Sequence, residues 1–356
     1  MTSIDELDFP SGSTVLVTGA TGFTGSHLLP KLAAKNITIH AIARLSSNID
    51  RFSDLKIKWF RGDVFDPQTV REATHGVQFI IHIAAAYREA GIAEHTYELV
   101  HVKSTQLLAE EASRLPGFKR FVLVSTVGVH GHIEKPPANE DSPFNPGDTY
   151  QITKANAELW FKNYCKESGL EYSVIRPAAI YGPGDRRLLK VFKFAASKFF
   201  PVIGNGRCMY HLIHVDDLCD VLILAAIHPN AKNQVFICGN EKSSSLYEMV
   251  SIVAATLNTT PRVIKLPIWP FYLASYLCEK ICPPLGIEPP IYRRRVDFFT
   301  KDRSFDTTKI RTTLNWTPRF SLEKGLRETA FWYCSKSWLK IPLSKLDPFV
   351  RGNINV

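Results

Sequence analysis

Tyr150 and Lys154, in the run Tyr150-Gln-Ile-Thr-Lys154, are of types and spacing that suit proton chemistry at a substrate oxygen. A spacing of four residues puts both on one face of a helix. Phenol is a poor acid–base group at neutral pH, with an ordinary pKa near ~10, and a neighbouring ammonium lowers it by favouring phenolate. A tyrosine tuned in this way passes a proton to or from a hydroxyl or carbonyl. Ser125 and Thr126 follow the apolar run Phe121–Val124, and either hydroxyl is a candidate to hydrogen-bond the same oxygen. Far upstream, Val15-Leu-Val-Thr-Gly19-Ala-Thr-Gly22-Phe-Thr-Gly25 sets three glycines between an apolar run and an amphipathic stretch. Missing Cβ atoms let the backbone turn tightly against a pyrophosphate, while free N–H groups and a helix dipole stabilise its charge.

These residues need elements that converge at one edge. From Thr14 to Ile180 short apolar runs alternate with longer amphipathic stretches, the pattern of strand, helix, strand in a parallel sheet. The predicted strands are Thr14–Thr18, Ile37–Ile42, Lys56–Phe60, Phe79–Ile83, Arg120–Val124 and Glu171–Arg176. The predicted helices include Gly25–Lys35, Thr96–Arg114 and Tyr150–Ser168. The fold class is therefore α/β, a doubly wound parallel sheet over residues 12–181 with a return around 210–240. A smaller, mainly helical lobe is expected from 182–209 and 241–340, with a tail from 341 to 356. In that lobe Leu246–Leu257 reads as a helix started by serines, and Leu266–Tyr292, rich in proline and aromatics, as an irregular cover over a ligand pocket.

The chain has 356 residues, 45% of them hydrophobic and 22% charged, enough for a large core with a satellite. A net charge of +9 favours anionic partners. Its one short basic cluster, Arg293–Arg295, is smaller than the runs that bind nucleic acid, so no nucleic-acid partner is expected. Seven cysteines without a Cys-x-x-Cys pair argue against a disulfide framework and against a metal site. An acidic N-terminus and the lack of a long uninterrupted apolar stretch point to a cytoplasmic protein.

Taken together the motifs resemble the extended branch of the short-chain dehydrogenase/reductase superfamily, the NAD-dependent epimerase/dehydratase-like proteins with a Rossmann-like sheet. Besides the glycines and the Tyr–Lys pair, Gly62-Asp63-Val64, His82-Ile-Ala-Ala, Arg176-Pro177, Tyr181-Gly-Pro-Gly-Asp185, His214-Val-Asp-Asp217 and Asn315-Trp-Thr-Pro318 follow in the family's order, from about Thr14 to Tyr333. The resemblance implies an enzyme in which Lys154 also holds the nicotinamide ribose. Counting back from Val129-His-Gly131, where the family has Val-Tyr-Gly, puts Thr126 in the catalytic slot, with Ser125 as the alternative. The implied dinucleotide contacts are Gly19, Thr21, Gly22, Phe23, Thr24, Gly25, Arg44, Asp63, Val64, Ala84, Ala85, Pro177, Ala179 and Ile180, with Tyr150 and Lys154. His101 stands where many relatives carry asparagine, which puts a water relay through that position in doubt. Dimerisation through Thr96–Arg114 and Tyr150–Ser168 is also implied.

Ala43 occupies the end of the second strand, where an acid would reject a 2′-phosphate, and Arg44 follows with Ser46 and Ser47. NADP is therefore favoured over NAD. Nucleotide-sugar relatives carry an asparagine and an arginine where this chain has Ala179 and Tyr210, so an apolar hydroxyl or keto substrate is expected. In layout the chain is similar to the 3β-hydroxysteroid dehydrogenase and sterol-4-carboxylate 3-dehydrogenase group. Tyr87, Tyr210, Trp269 and Tyr272 are the candidate substrate contacts. Arg293–Arg295 beside the apolar segment permits shallow peripheral contact with a membrane. A nucleotide-sugar epimerase, dehydratase or reductase is the rival enzyme reading, and a dinucleotide sensor or scaffold without turnover is the rival of another class.

Overall fold

The computed structural model of the chain describes residues 7–86, 93–204, 206–285, 296 and 300–346. β1 (Thr14–Thr18) pairs with β2 (Thr38–Ala43), which pairs with β3 (Ile57–Arg61) at one edge. On its other side β1 pairs with β4 (Phe79–His82), followed outward by β5 (Arg120–Val124), β6 (Tyr172–Pro177) and β11 (Gln234–Cys238). All six pairings are parallel. The strand order thus reverses between β1 and β4, and at such a switch point the loops diverge and leave a crevice at the carboxyl ends.

Alternation along β1 divides the interior in two. Val15 and Val17 pack with α1 (Phe23–Ala33) and α7 (Val215–Ile227) through Leu28, Leu29, Leu32, Leu218 and Leu222. Leu16 faces the other way, toward Val70 of α2 (Pro67–Thr74), Leu108 of α4 (Ser104–Arg114) and Phe161 of α5 (Thr149–Ser168). A further core builds the lobe, with Phe192 of α6 (Leu189–Ala195), Phe200 of β8 (Phe199–Ile203), Met249 of α8 (Leu246–Thr256) and Tyr333 of the helix Leu322–Ser335. α5 is set locally at both ends: the Asp148 carboxylate accepts from Gln151 N at 2.7 Å, and Gly169 takes the left-handed conformation that ends the helix.

Three expectations change. α1 starts at Phe23 rather than Gly25, so Gly25 lies inside the first turn, where a Cβ would come 2.4 Å from the Gly19 carbonyl oxygen. The predicted helix Thr96–Arg114 begins at Glu94 and is interrupted by a π-helical stretch, Glu98–Lys103, that holds His101 inside. The supposed irregular cover, Leu266–Tyr292, follows a strand, β13 (Arg262–Leu266), and contains a regular helix, α9 (Trp269–Ile281), whose one buried residue is Ser275; Tyr292 and Arg293–Arg295 lie outside the described residues.

α5 and β6 are clasped by a wholly buried ion pair. Arg176 Nη2 lies 2.6 Å from Glu158 Oε1, its Nε donates to both oxygens of that carboxylate, and its Nη1 donates to Glu140 O and His130 Nε2. Removing one member strands the other charge in a dry interior. Arg176→Leu is therefore expected to lose about 3–5 kcal/mol of stability, read from the urea unfolding midpoint, whereas an exposed control such as Arg71→Leu loses almost nothing.

Candidate active site

Gly19 ends β1 with φ 68°, and a Cβ there would lie 2.8 Å from Ala84 N, so the glycine turn and the exit of β4 touch backbone to backbone. Gly22 precedes α1, whose N-terminus has no side-chain cap and no acidic residue in its first turn. Its free N–H groups and the dipole's positive end are left for an anion. Thr21, Phe23 and Thr24 line this turn, and Ala84 N donates to Thr18 Oγ1. Ala85 is exposed just beyond. Gly62, at the exit of β3, has Thr69 Oγ1 where its Cβ would be, so only glycine brings Asp63 and Val64 round to the same edge. Pro177 ends β6 and Ala179 and Ile180 follow it, with Ala178 N and Ala179 N tied to Cys238 O and His211 O.

Arg44 is exposed at the end of β2. Sequence reasoning missed two neighbours. Arg51 donates to Thr21 O across the glycine turn, and Arg61 donates through Nη2 to Leu45 O and Ser47 O at 2.6 and 3.0 Å. Arg61 Nη1 is buried with no acceptor among the described residues. The available signal was the accumulation of arginines at the ends of β2 and β3 with no acid in the Ala43 slot. A positive-φ glycine against Ala84, an uncapped helix start and an unpartnered guanidinium nitrogen fit a dinucleotide pyrophosphate and its adenosine end.

At the middle of the crevice the Lys154 ammonium, 5% exposed, donates to Val124 O at 2.6 Å, the carbonyl at the very end of β5. That brings it beside Ser125 and Thr126. Thr126 Oγ1 accepts from Gly128 N at 3.0 Å and keeps its own proton to donate; Ser125 Oγ is buried with no partner among the described residues. The Tyr150 ring stands edge-on to the His101 ring, 5.3 Å between centroids. His101 accepts from Ala86 N at Nε2, and its Nδ1 meets Thr153 Oγ1 at 2.8 Å, so the proton sits on Nδ1 and both nitrogens are engaged. Burial, with Lys154 and His82 adding to it, pushes its pKa down to about 2. It ties the β4 exit to α5 and carries no exchangeable charge. His130, where tyrosine was the family's habit, accepts from Arg176 Nη1.

The candidate substrate residues do not gather. Tyr210 is buried in the lobe's core and Trp269 is 68% exposed on α9, which corrects both as pocket-lining side chains. Tyr272 is half-buried, its hydroxyl 3.4 Å from Thr300 Oγ1, and Tyr87 lies outside the described residues.

A parallel sheet with a glycine turn at its switch point and a tyrosine–lysine helix beside it defines a dinucleotide-dependent enzyme of the extended short-chain dehydrogenase/reductase type. The sequence profile of the NAD dependent epimerase/dehydratase family matches residues 15–239, and the chain belongs to that family. It is similar to a UDP-glucose 4-epimerase of Vibrio cholerae, 28% identical over 330 residues that cover 89% of this chain and 94% of the relative. It is equally similar to a decarboxylating sterol-4-alpha-carboxylate 3-dehydrogenase of Saccharomyces cerevisiae, 28% identical over 348 residues that cover 90% and 97%. In fold it resembles the crystal structure of a Thermotoga maritima UDP-glucose 4-epimerase with UDP-glucose, TM-score 0.73 at 21% identity, covering 92% of this chain and all of that one.

Two outcomes follow from this geometry. Gly19→Ala forces a Cβ onto Ala84 in a left-handed conformation, so dinucleotide affinity by calorimetry is expected to fall by more than ~10-fold while the circular dichroism spectrum is kept. Burial pushes the Lys154 pKa from 10.5 down to about 8, against the pull of Glu158. Between those two values the unfolded chain holds a proton that the folded chain has released, so this site's contribution to stability rises with pH across the window and is lowest below it. Lys154→Met should remove that rise from urea midpoints measured between neutral pH and pH ~10.

Proposed function

We propose that the protein is an NADP-linked dehydrogenase or reductase acting on a hydroxyl or keto group of a steroid-like or other bulky apolar molecule. The observation that carries this reading is the loss of both polar anchors that nucleotide-sugar relatives use. Ala179 offers only a methyl group on β7 (Ala179–Tyr181), and Tyr210 is turned into the lobe's core. Two arginines near that loop are engaged elsewhere: Arg187 Nε pairs with Asp185 at 3.0 Å, and the Arg186 guanidinium lies 5.2 Å from the Trp338 ring centre. The yeast sterol-carboxylate relative supports the same substrate class. For such a carboxylate, oxidation at C3 gives a β-keto acid that loses carbon dioxide without a further catalytic group.

A bound nicotinamide would take up or supply the hydride. Tyr150 moves the proton at the substrate oxygen, Lys154 favours its phenolate and holds the ribose, and the Thr126 hydroxyl donates to the same oxygen, with Ser125 behind it. Arg44 and the unpartnered Nη1 of Arg61 favour the 2′-phosphate of NADP.

Incubation with NADP or NAD and a panel of hydroxysteroids, followed at the nicotinamide absorbance, tests the substrate class. Turnover of UDP or dTDP sugars alone would replace it with the epimerase or dehydratase reading. Tyr150→Phe is expected to lower kcat by ~10²–10⁴-fold with cofactor affinity kept, which a non-catalytic sensor would not show. Arg44→Glu should weaken NADP by about 10–100-fold and leave NAD almost unchanged, as expected for a charge-assisted bond to phosphate.

A further inference from the structure

α9 carries an apolar face that stays exposed. Trp269, Leu273, Tyr276, Leu277 and Ile281 are each 45–68% exposed, and their spacing gathers them on one side of the helix, opposite the buried Ser275. The inner side is held by Ser275 and by Tyr272, whose hydroxyl meets Thr300. β13 leads into α9 through Pro267 and Ile268 and pairs in parallel with β8, where Ile264 and Phe199 are also exposed. Of the fourteen large apolar side chains exposed among the described residues, ten belong to this lobe between Phe194 and Leu285. A contiguous surface of this kind normally marks an interaction site.

The charge around it is one-sided. Residues 186–207 hold six basic residues and no acid, and residues 257–285 add Arg262, Lys265 and Lys280 against Glu279 alone. Lys190, Lys193, Lys198, Arg262, Lys265 and Lys280 are exposed, and among the described residues none is held in an ion pair. Lys280 falls within the apolar face, in the position of a side chain that reaches past buried methylenes to a headgroup.

We propose that α9 and the adjoining outer face of β8 and β13 dock this protein on an anionic lipid bilayer. α9 has thirteen residues, ~20 Å of helix against a hydrocarbon core of ~30 Å, and no helix among the described residues is long and apolar enough to cross a membrane. The helix therefore lies in the headgroup plane with its aromatic and aliphatic side chains sunk between acyl chains. The basic rim selects the occupant. A second copy of this chain would bring the same positive charge against it, whereas an anionic leaflet neutralises it. Docking also sets the lobe where apolar molecules partition, but the inference does not rest on the substrate reading.

The test is co-sedimentation of the full chain with vesicles of phosphatidylcholine, with or without phosphatidylserine, in low and high salt. Binding is expected on the phosphatidylserine vesicles, at least ~10-fold weaker on phosphatidylcholine alone and weakened by salt. Trp269→Ser with Leu273→Ser should remove it, and Lys265→Glu with Lys280→Glu should weaken it by at least ~10-fold. These side chains are exposed, so unchanged near-ultraviolet circular dichroism checks that each variant folds. No sedimentation with folded wild-type protein overturns the proposal. So does equal binding by the Trp269 and Leu273 variant, or a solution dimer that this variant breaks.

Discussion

The hydrogen bond from Lys154 Nζ to Val124 O fixes most of what matters in this molecule. It buries an ammonium at the end of β5, and burial alone disfavours that charge. The surroundings compensate in kind. Glu158, one turn further along α5, supplies the opposing field and is itself neutralised by Arg176 on β6. His82 and His101 stay neutral beside it, their pKa values held at about 3 and about 2 by burial and by the lysine's own charge. One cation thereby dictates the protonation of its neighbours and locks α5 to the sheet in one register.

The cofactor end follows from a second constraint, the lack of space between strand exits. β1 and β4 leave the sheet at the switch point so closely that Gly19 and Ala84 meet at backbone level. That contact opens the crevice outward, toward the uncapped start of α1 and the arginines on the loop after β2 and at the end of β3. The two constraints meet at Ala86, whose N–H is held by His101, and His101 in turn holds Thr153 of α5. The histidine at this position makes both hydrogen bonds and sets a ring against Tyr150.

The lobe answers to different forces. Its interior is assembled from aromatic and aliphatic residues on elements far apart in sequence, and Tyr210 and Tyr333 are used there as packing. Apolar side chains on α9 are left outside it. The same composition therefore serves burial in one segment and exposure in the next.

The sequence determined the sheet and its chemistry because those signals are local. Continuous apolar runs mark strands buried on both faces: Thr14–Thr18 and Arg120–Val124 appear in the structure with those same ends. The glycines were legible because steric constraints act within a few bonds, and Tyr150 with Lys154 because four residues are one helical turn. Tertiary structure alone decided that Arg51 reaches the glycine turn and Arg61 the loop after Ala43, that Tyr210 is core while Trp269 faces outward, and that a π-helical stretch holds His101 inside. Each depends on which distant surface a side chain meets, and neither residue type nor spacing records that.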